Sequence, residues 1–162
     1  MAKRKIAILG SDDALRKRAR IVTKFDDRLH TLLNDMAETM YAANGAGLAA
    51  PQVDVLKRCV VIDVGSGLIE LVNPEIVSTE GARVGVESCL SVPGRCGTVE
   101  RPIKVTVRAQ DRFGNPIEIA GEGFLAVALC HEIDHLDGVV YVDKMIEDVS
   151  DRYRQAKKEE IQ

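Results

Sequence analysis

The stretch Phe124-Leu125-Ala126-Val127-Ala128-Leu129-Cys130-His131-Glu132-Ile133-Asp134-His135-Leu136-Asp137-Gly138 decides how this chain is read. Its apolar opening and the recurrence of Ile133 and Leu136 predict a helix over residues 124–136, ended by Gly138. Histidines at i and i+4 stand one above the other on a helix, so both imidazoles can reach one metal ion. Glu132 lies about 100° round the helix from His131, close enough to handle a proton at the ion without ligating it. An ion there would polarise a carbonyl and acidify water. The chain has three histidines, and two of them sit here. The bland alternative is a pair of ordinary helix histidines around a surface glutamate; the apolar run before them argues against it. Phe124, Val127 and Ala128 precede His131 by seven, four and three residues and share its face. They serve either as core packing or as an apolar pocket beside the metal, suited to an unbranched apolar side chain.

An open metal site needs a third protein ligand beside the water. The spacing through Gly138 follows a metzincin pattern, but Tyr141 stands where that pattern requires histidine. Glu147, twelve positions after His135, is the nearest carboxylate for a thermolysin-like site. His30 reads as a surface or boundary residue of an earlier helix. Cys59 sits in an apolar strand, where a buried thiol is the default. Cys130 neighbours His131 and points off its face. Cys89 and Cys96 remain. Cys89 lies in Val86-Glu87-Ser88-Cys89-Leu90-Ser91, just before Pro93-Gly94, a loop or strand end able to present a thiolate. A Cys89–Cys96 disulfide is the alternative, disfavoured in a reducing compartment.

Around this core the pattern is α+β: antiparallel or mixed sheets packed around the central helix, with helices at both ends. A long helix is expected over residues 25–43, where Phe25, Leu29, Leu32, Leu33, Met36 and Met40 share one face before Asn44-Gly45. A short basic helix over 13–21 precedes it. Strands are expected at 58–64, 68–72, 75–79 and 103–108, with a turn at 111–116 leading to 117–119. A charged helix from 144 to the C-terminus closes the chain. Gly45-Ala46-Gly47-Leu48-Ala49-Ala50-Pro51-Gln52 reads as a loop whose glycines allow close backbone approach.

The 162 residues, 46% hydrophobic and 29% charged, suit one domain spanning 1–162 with a substantial core. A net charge of −3 argues against direct nucleic-acid binding. No run approaches the roughly 20 apolar residues of a membrane span. The N-terminus lacks the features of a secretory signal, and four cysteines without one point to a reducing, cytoplasmic setting.

Three segments together closely resemble peptide deformylases: Gly45-Ala46-Gly47-Leu48-Ala49-Ala50-Pro51-Gln52, Glu87-Ser88-Cys89-Leu90-Ser91 and Cys130-His131-Glu132-Ile133-Asp134-His135-Leu136-Asp137-Gly138. The resemblance runs from about Ile8 to Tyr141. It implies hydrolytic removal of formyl from N-formylmethionyl peptides of newly made proteins, releasing formate. It implies one divalent ion, Fe²⁺ in the cell with Zn²⁺, Ni²⁺ or Co²⁺ as substitutes, held by Cys89, His131 and His135. Glu132 would be the general acid/base, and the Gln52 side chain and Leu90 N–H would stabilise the oxyanion. The backbone near Gly47 would pair with the peptide, and the ribosome is a candidate partner of the charged C-terminal segment. Three positions depart from the family pattern. Ser88 stands for glycine, which would alter the Cys89 loop if a glycine-only backbone were needed there. Cys130 stands for glutamine, and Ala46 for a branched residue, which would widen the cleft. Two rivals are a small zinc endopeptidase with another third ligand, and a non-enzymatic structural metal domain, for which only three ligands can be assembled.

Overall fold

The computed structural model describes residues 2–152 and 154. Helix α1 spans Asp27–Ala42, β1 Gly47–Ala49, β2 Cys59–Ile62, β3 Ile69–Glu80, β4 Arg83–Cys89 and β5 Val92–Arg101. β6 spans Lys104–Gln110, β7 Pro116–Glu122, α2 Phe124–Leu136 and β8 Glu147–Asp148. A five-stranded antiparallel sheet runs β1-β2-β3-β6-β7, and a three-stranded antiparallel sheet runs β4-β5-β8.

Side-chain alternation explains how the larger sheet takes a helix on each face. On β2, Val60 and Ile62 join Leu129, Ile133 and Leu136 of α2 in one cluster. Cys59 and Val61 point the other way, into a second cluster with Leu29, Leu33, Met36 and Met40 of α1. With both faces covered, every residue of β2 is buried, and the strand reads as a continuous apolar run. Each fully buried leucine in these clusters contributes about 2 kcal/mol. Asp26 caps α1, its carboxylate accepting from the Leu29 N–H at 3.2 Å. Gly138 ends α2 with φ +76°, and a Cβ there would lie 2.8 Å from the Arg16 carbonyl oxygen.

Helix α2 matches the expected bounds, and α1 lies within two residues of them. Elsewhere the tertiary structure changes the local reading. The strands expected at 68–72 and 75–79 are one strand. Asn73 takes φ +51° and shifts the register without ending the pairing, because its side chain is held by both backbone groups of Val22 and by Gln110. The basic helix expected over 13–21 shrinks to a 3₁₀ turn, Asp13–Arg16. Beyond it, Ala19 N–H donates to the Leu136 carbonyl and Arg20 bridges to Lys57, so that backbone is spent on neighbours. The helix expected from 144 does not begin there. Ile146 N–H donates to the Thr98 carbonyl at 2.7 Å and β8 extends the smaller sheet. Gly97 makes this possible, since a side chain there would strike Met145. Helical backbone starts only at Ser150; most of the remaining segment falls outside the described residues.

Candidate metal centre and active site

Helix α2 carries His131 and His135, and the last residue of β4 carries Cys89. One ligand atom from each lies within 4.8 Å of the others, the one such group among the described residues. Cys89 Sγ is 3.4 Å from His135 Nε2. A tetrahedral ion with sulfur at 2.3 Å and nitrogen at 2.1 Å would set that separation at about 3.6 Å, so the three donors fit one cation. His131 Nδ1 lies 2.9 Å from Glu87 Oε1, which orients the ring and leaves Nε2 for the site. The electrostatics agree. Burial opposes a proton on His131, but Glu132, Cys89 and Glu87 outweigh it and raise the imidazole well above its ordinary range. The acidic groups around it therefore favour a positive charge beside this ring, which a cation on Nε2 would supply in place of a proton. Burial lowers His135 well below the usual histidine range, with His131 adding to the effect, so that ring stays neutral as a ligand must.

Glu132 is buried, and burial pushes its carboxyl up to about 7. Its Oε2 sits 4.0 Å from His131 Nε2, and its Oε1 has no partner. The side chain lies against Gly47, where a Cβ would fall 2.5 Å from Oε2. Only glycine leaves room for the carboxylate there. Gln52 is buried in the 3₁₀ turn Ala50–Val53. Its Oε1 accepts from the Ala49 N–H at 2.9 Å, which aims Nε2 at Ser91 Oγ (3.1 Å) and Cys89 Sγ (3.5 Å). Leu90 follows Cys89 in the tight turn to Val92. Its side chain abuts Gly45, where a Cβ would be 2.7 Å from Leu90 Cδ1. This contact joins the approach to β1 with the Cys89 turn.

These walls enclose a cleft of about 850 Å³, within the usual range for ligand sites. Ala46, Gly47, Gln52, Cys89, Leu90, Phe124, Val127, Ala128, His131 and Glu132 all line it. Phe124 is exposed, which sets it on the cleft rather than in the core. Glu147 lies on β8, paired with Arg152, and belongs to no ligand group. His30 Nε2 meets the Arg112 carbonyl at 2.8 Å and is not among the grouped ligands. All four cysteines are free, so Cys89 and Cys96 are not bridged. Ser88 occupies the register shift between Glu87 and Cys89 without a positive φ. Serine therefore meets no backbone strain, and the expected change in the loop has no such cause.

Sequence reasoning gave no role to Glu87 and did not single out Arg101. Arg101 Nε and Nη2 grip Glu87 at 2.8 and 3.0 Å, and Nη1 reaches Asp134 at 2.6 Å. Arg101 is 4% exposed. A buried charge of this kind needs a partner, and its partner is the carboxylate that orients His131. No strand was expected over residues 92–101, so the sequence offered no signal for Arg101, which stands just before Pro102.

Comparison with known proteins follows the same geometry. The family model described as polypeptide deformylase matches residues 3–150. A peptide deformylase of Caldicellulosiruptor bescii is 63% identical over 151 residues, covering 93% of this chain and 90% of that one. A crystal structure of a peptide deformylase from Legionella pneumophila superposes with a TM-score of 0.86 at 48% identity, covering 97% of this chain and 98% of the other. One from Synechococcus elongatus, in complex with actinonin, gives 0.86 at 40% identity, covering 94% and 84%.

Proposed function

The chain belongs to the polypeptide deformylase family, and from that premise we propose how its own residues remove formyl from N-formylmethionyl peptides. It is a metal-dependent hydrolase. The observation that carries the assignment of residues is the convergence of Cys89, His131 and His135 within 4.8 Å beside the buried Glu132.

Cys89, His131 and His135 would hold the ion, which when bound would supply Lewis-acid polarisation of the formyl carbonyl and a more acidic water. Glu132 takes the proton from the attacking water, as a buried carboxylate with its pKa near neutrality does well. Water oxygen bonds to the formyl carbon, and the carbonyl becomes an oxyanion. Gln52 Nε2 and the Leu90 N–H donate to that oxyanion; one such donor is typically worth about 3 kcal/mol. Glu132 then delivers its proton to the amine nitrogen as the C–N bond breaks, leaving formate and a free amino terminus. Phe124, Val127 and Ala128 receive the methionine side chain, and the free edge at Ala46 and Gly47 pairs with the peptide backbone. Substrates of this kind are nascent chains at the ribosome, and the free thiols suit the reducing cytoplasm.

The test is formate release from a short formyl-methionyl peptide beside its acetylated twin. A preference of at least about 100-fold for formyl is expected, since a pocket that seats hydrogen at the carbonyl carbon must clash with methyl. Equal rates would overturn the assignment. We propose Fe²⁺ as the cellular ion, as the resemblance to deformylases implies; a thiolate with two imidazoles accepts several divalent metals, and affinity alone does not choose among them. Protein loaded anaerobically with Fe²⁺ should turn over faster than the Zn²⁺ form and lose activity in air. Equal turnover by the two forms would remove the case for iron.

A further inference from the structure

We propose that Arg95 and Arg154 make the outer part of this cleft selective for acidic residues at the third position of the formyl-peptide. The inference rests on the deformylase reading of the site and extends it to substrate choice beyond methionine.

The charged groups lining the cleft, among the described residues, are unequally placed. Its two carboxylates, Glu87 and Glu132, are buried and committed: Glu87 to Arg101 and His131, Glu132 to the reacting centre. The remaining charges are the guanidiniums of Arg95 and Arg154, about half exposed at 44% and 57%. Asn44, Gly45 and Ala46, which also line the cleft, carry no charge.

Both arginines are tethered. Arg95 Nη2 meets Asp148 at 3.0 Å, and Ser150 donates to that same carboxylate from its backbone N–H. Arg154 Nη2 donates to the Gly94 carbonyl at 2.9 Å, and its Nη1 lies 3.3 Å from Asp151. Neither aspartate lines the cleft, and Asp151 is 99% exposed. A guanidinium has five N–H donors, so such tethers fix the group and leave donors free. The reach is right as well. Val92 pairs with Cys89, and Arg95 lies three residues further along β5, about 10 Å up the strand. An extended peptide moves its third Cα about 7 Å beyond its first, and its side chain covers the rest. Carboxylate is the side chain that a rim of two arginines recognises best.

The experiment uses three formyl-Met-Ala-X peptides, with X as Glu, Gln or Lys, on the metal-loaded chain. KM should rise from Glu to Gln to Lys, with about a 3- to 10-fold spread, the scale of partly exposed ion pairs. The spread should shrink in 0.5 M salt and collapse toward one in the double variant Arg95→Gln, Arg154→Gln. Anisotropy binding of labelled acetyl-Met-Ala-X twins reads the same order without turnover. Absent formate from all three peptides would sink the deformylase reading, while the binding order still judges the arginines. A preference for Lys, no preference, or a Glu preference that survives in the double variant would overturn the proposal.

Discussion

Replacing Glu132 with Gln should lower kcat for formate release by about three orders of magnitude, within the span of general acid–base catalysis, while the protein keeps its full complement of metal. Gln preserves the shape packed against Gly47 but cannot accept and return a proton. Because Glu132 is not among the three grouped ligands, metal content measured after gel filtration should not change. KM should change little, since the lost interaction belongs to the transition state. A kcat within tenfold of the parent, or loss of the ion together with activity, would show that the residue has another role.

Cys89→Ala should empty the site. Two imidazoles from one helix turn hold a divalent ion far more weakly than two imidazoles and a thiolate. Metal content should drop from about one ion per chain to near zero on gel filtration, and activity should fall at least about 1,000-fold. A melting curve of the metal-free parent is the control for folding, because Cys89 also packs beside Val92 and Tyr141. Retention of a full equivalent would revive Glu147 as third ligand. The fold gives that reading no support, since Glu147 is spent on pairing β8 to β5 and on Arg152.

Much of this was legible in the chain itself. His131 and His135 are neighbours because four residues make roughly one helical turn; no tertiary fact is needed. The bounds of α2 follow from its apolar run and Gly138. Arg101 was not legible. Nothing local marks a strand arginine as the group that steadies Glu87 behind a histidine 44 positions from that glutamate. The C-terminal segment misled for a related reason. Its charged composition favours helix, but Ile146 and Val149 donate to the backbone carbonyls of Thr98 and Cys96 on β5, and tertiary hydrogen bonds override a weak local preference.

What the sequence determined unaided was the pair of imidazoles, the glutamate between them and the α+β class, because helix and strand periodicity are local properties of the chain. Tertiary structure is what brings Cys89, rather than Cys96, within 4.8 Å of them, lets Gly47 make room for Glu132, and sets Arg95 and Arg154 on the cleft. Each of these depends on residues far apart in the chain whose distance is set only when the two sheets close around α2.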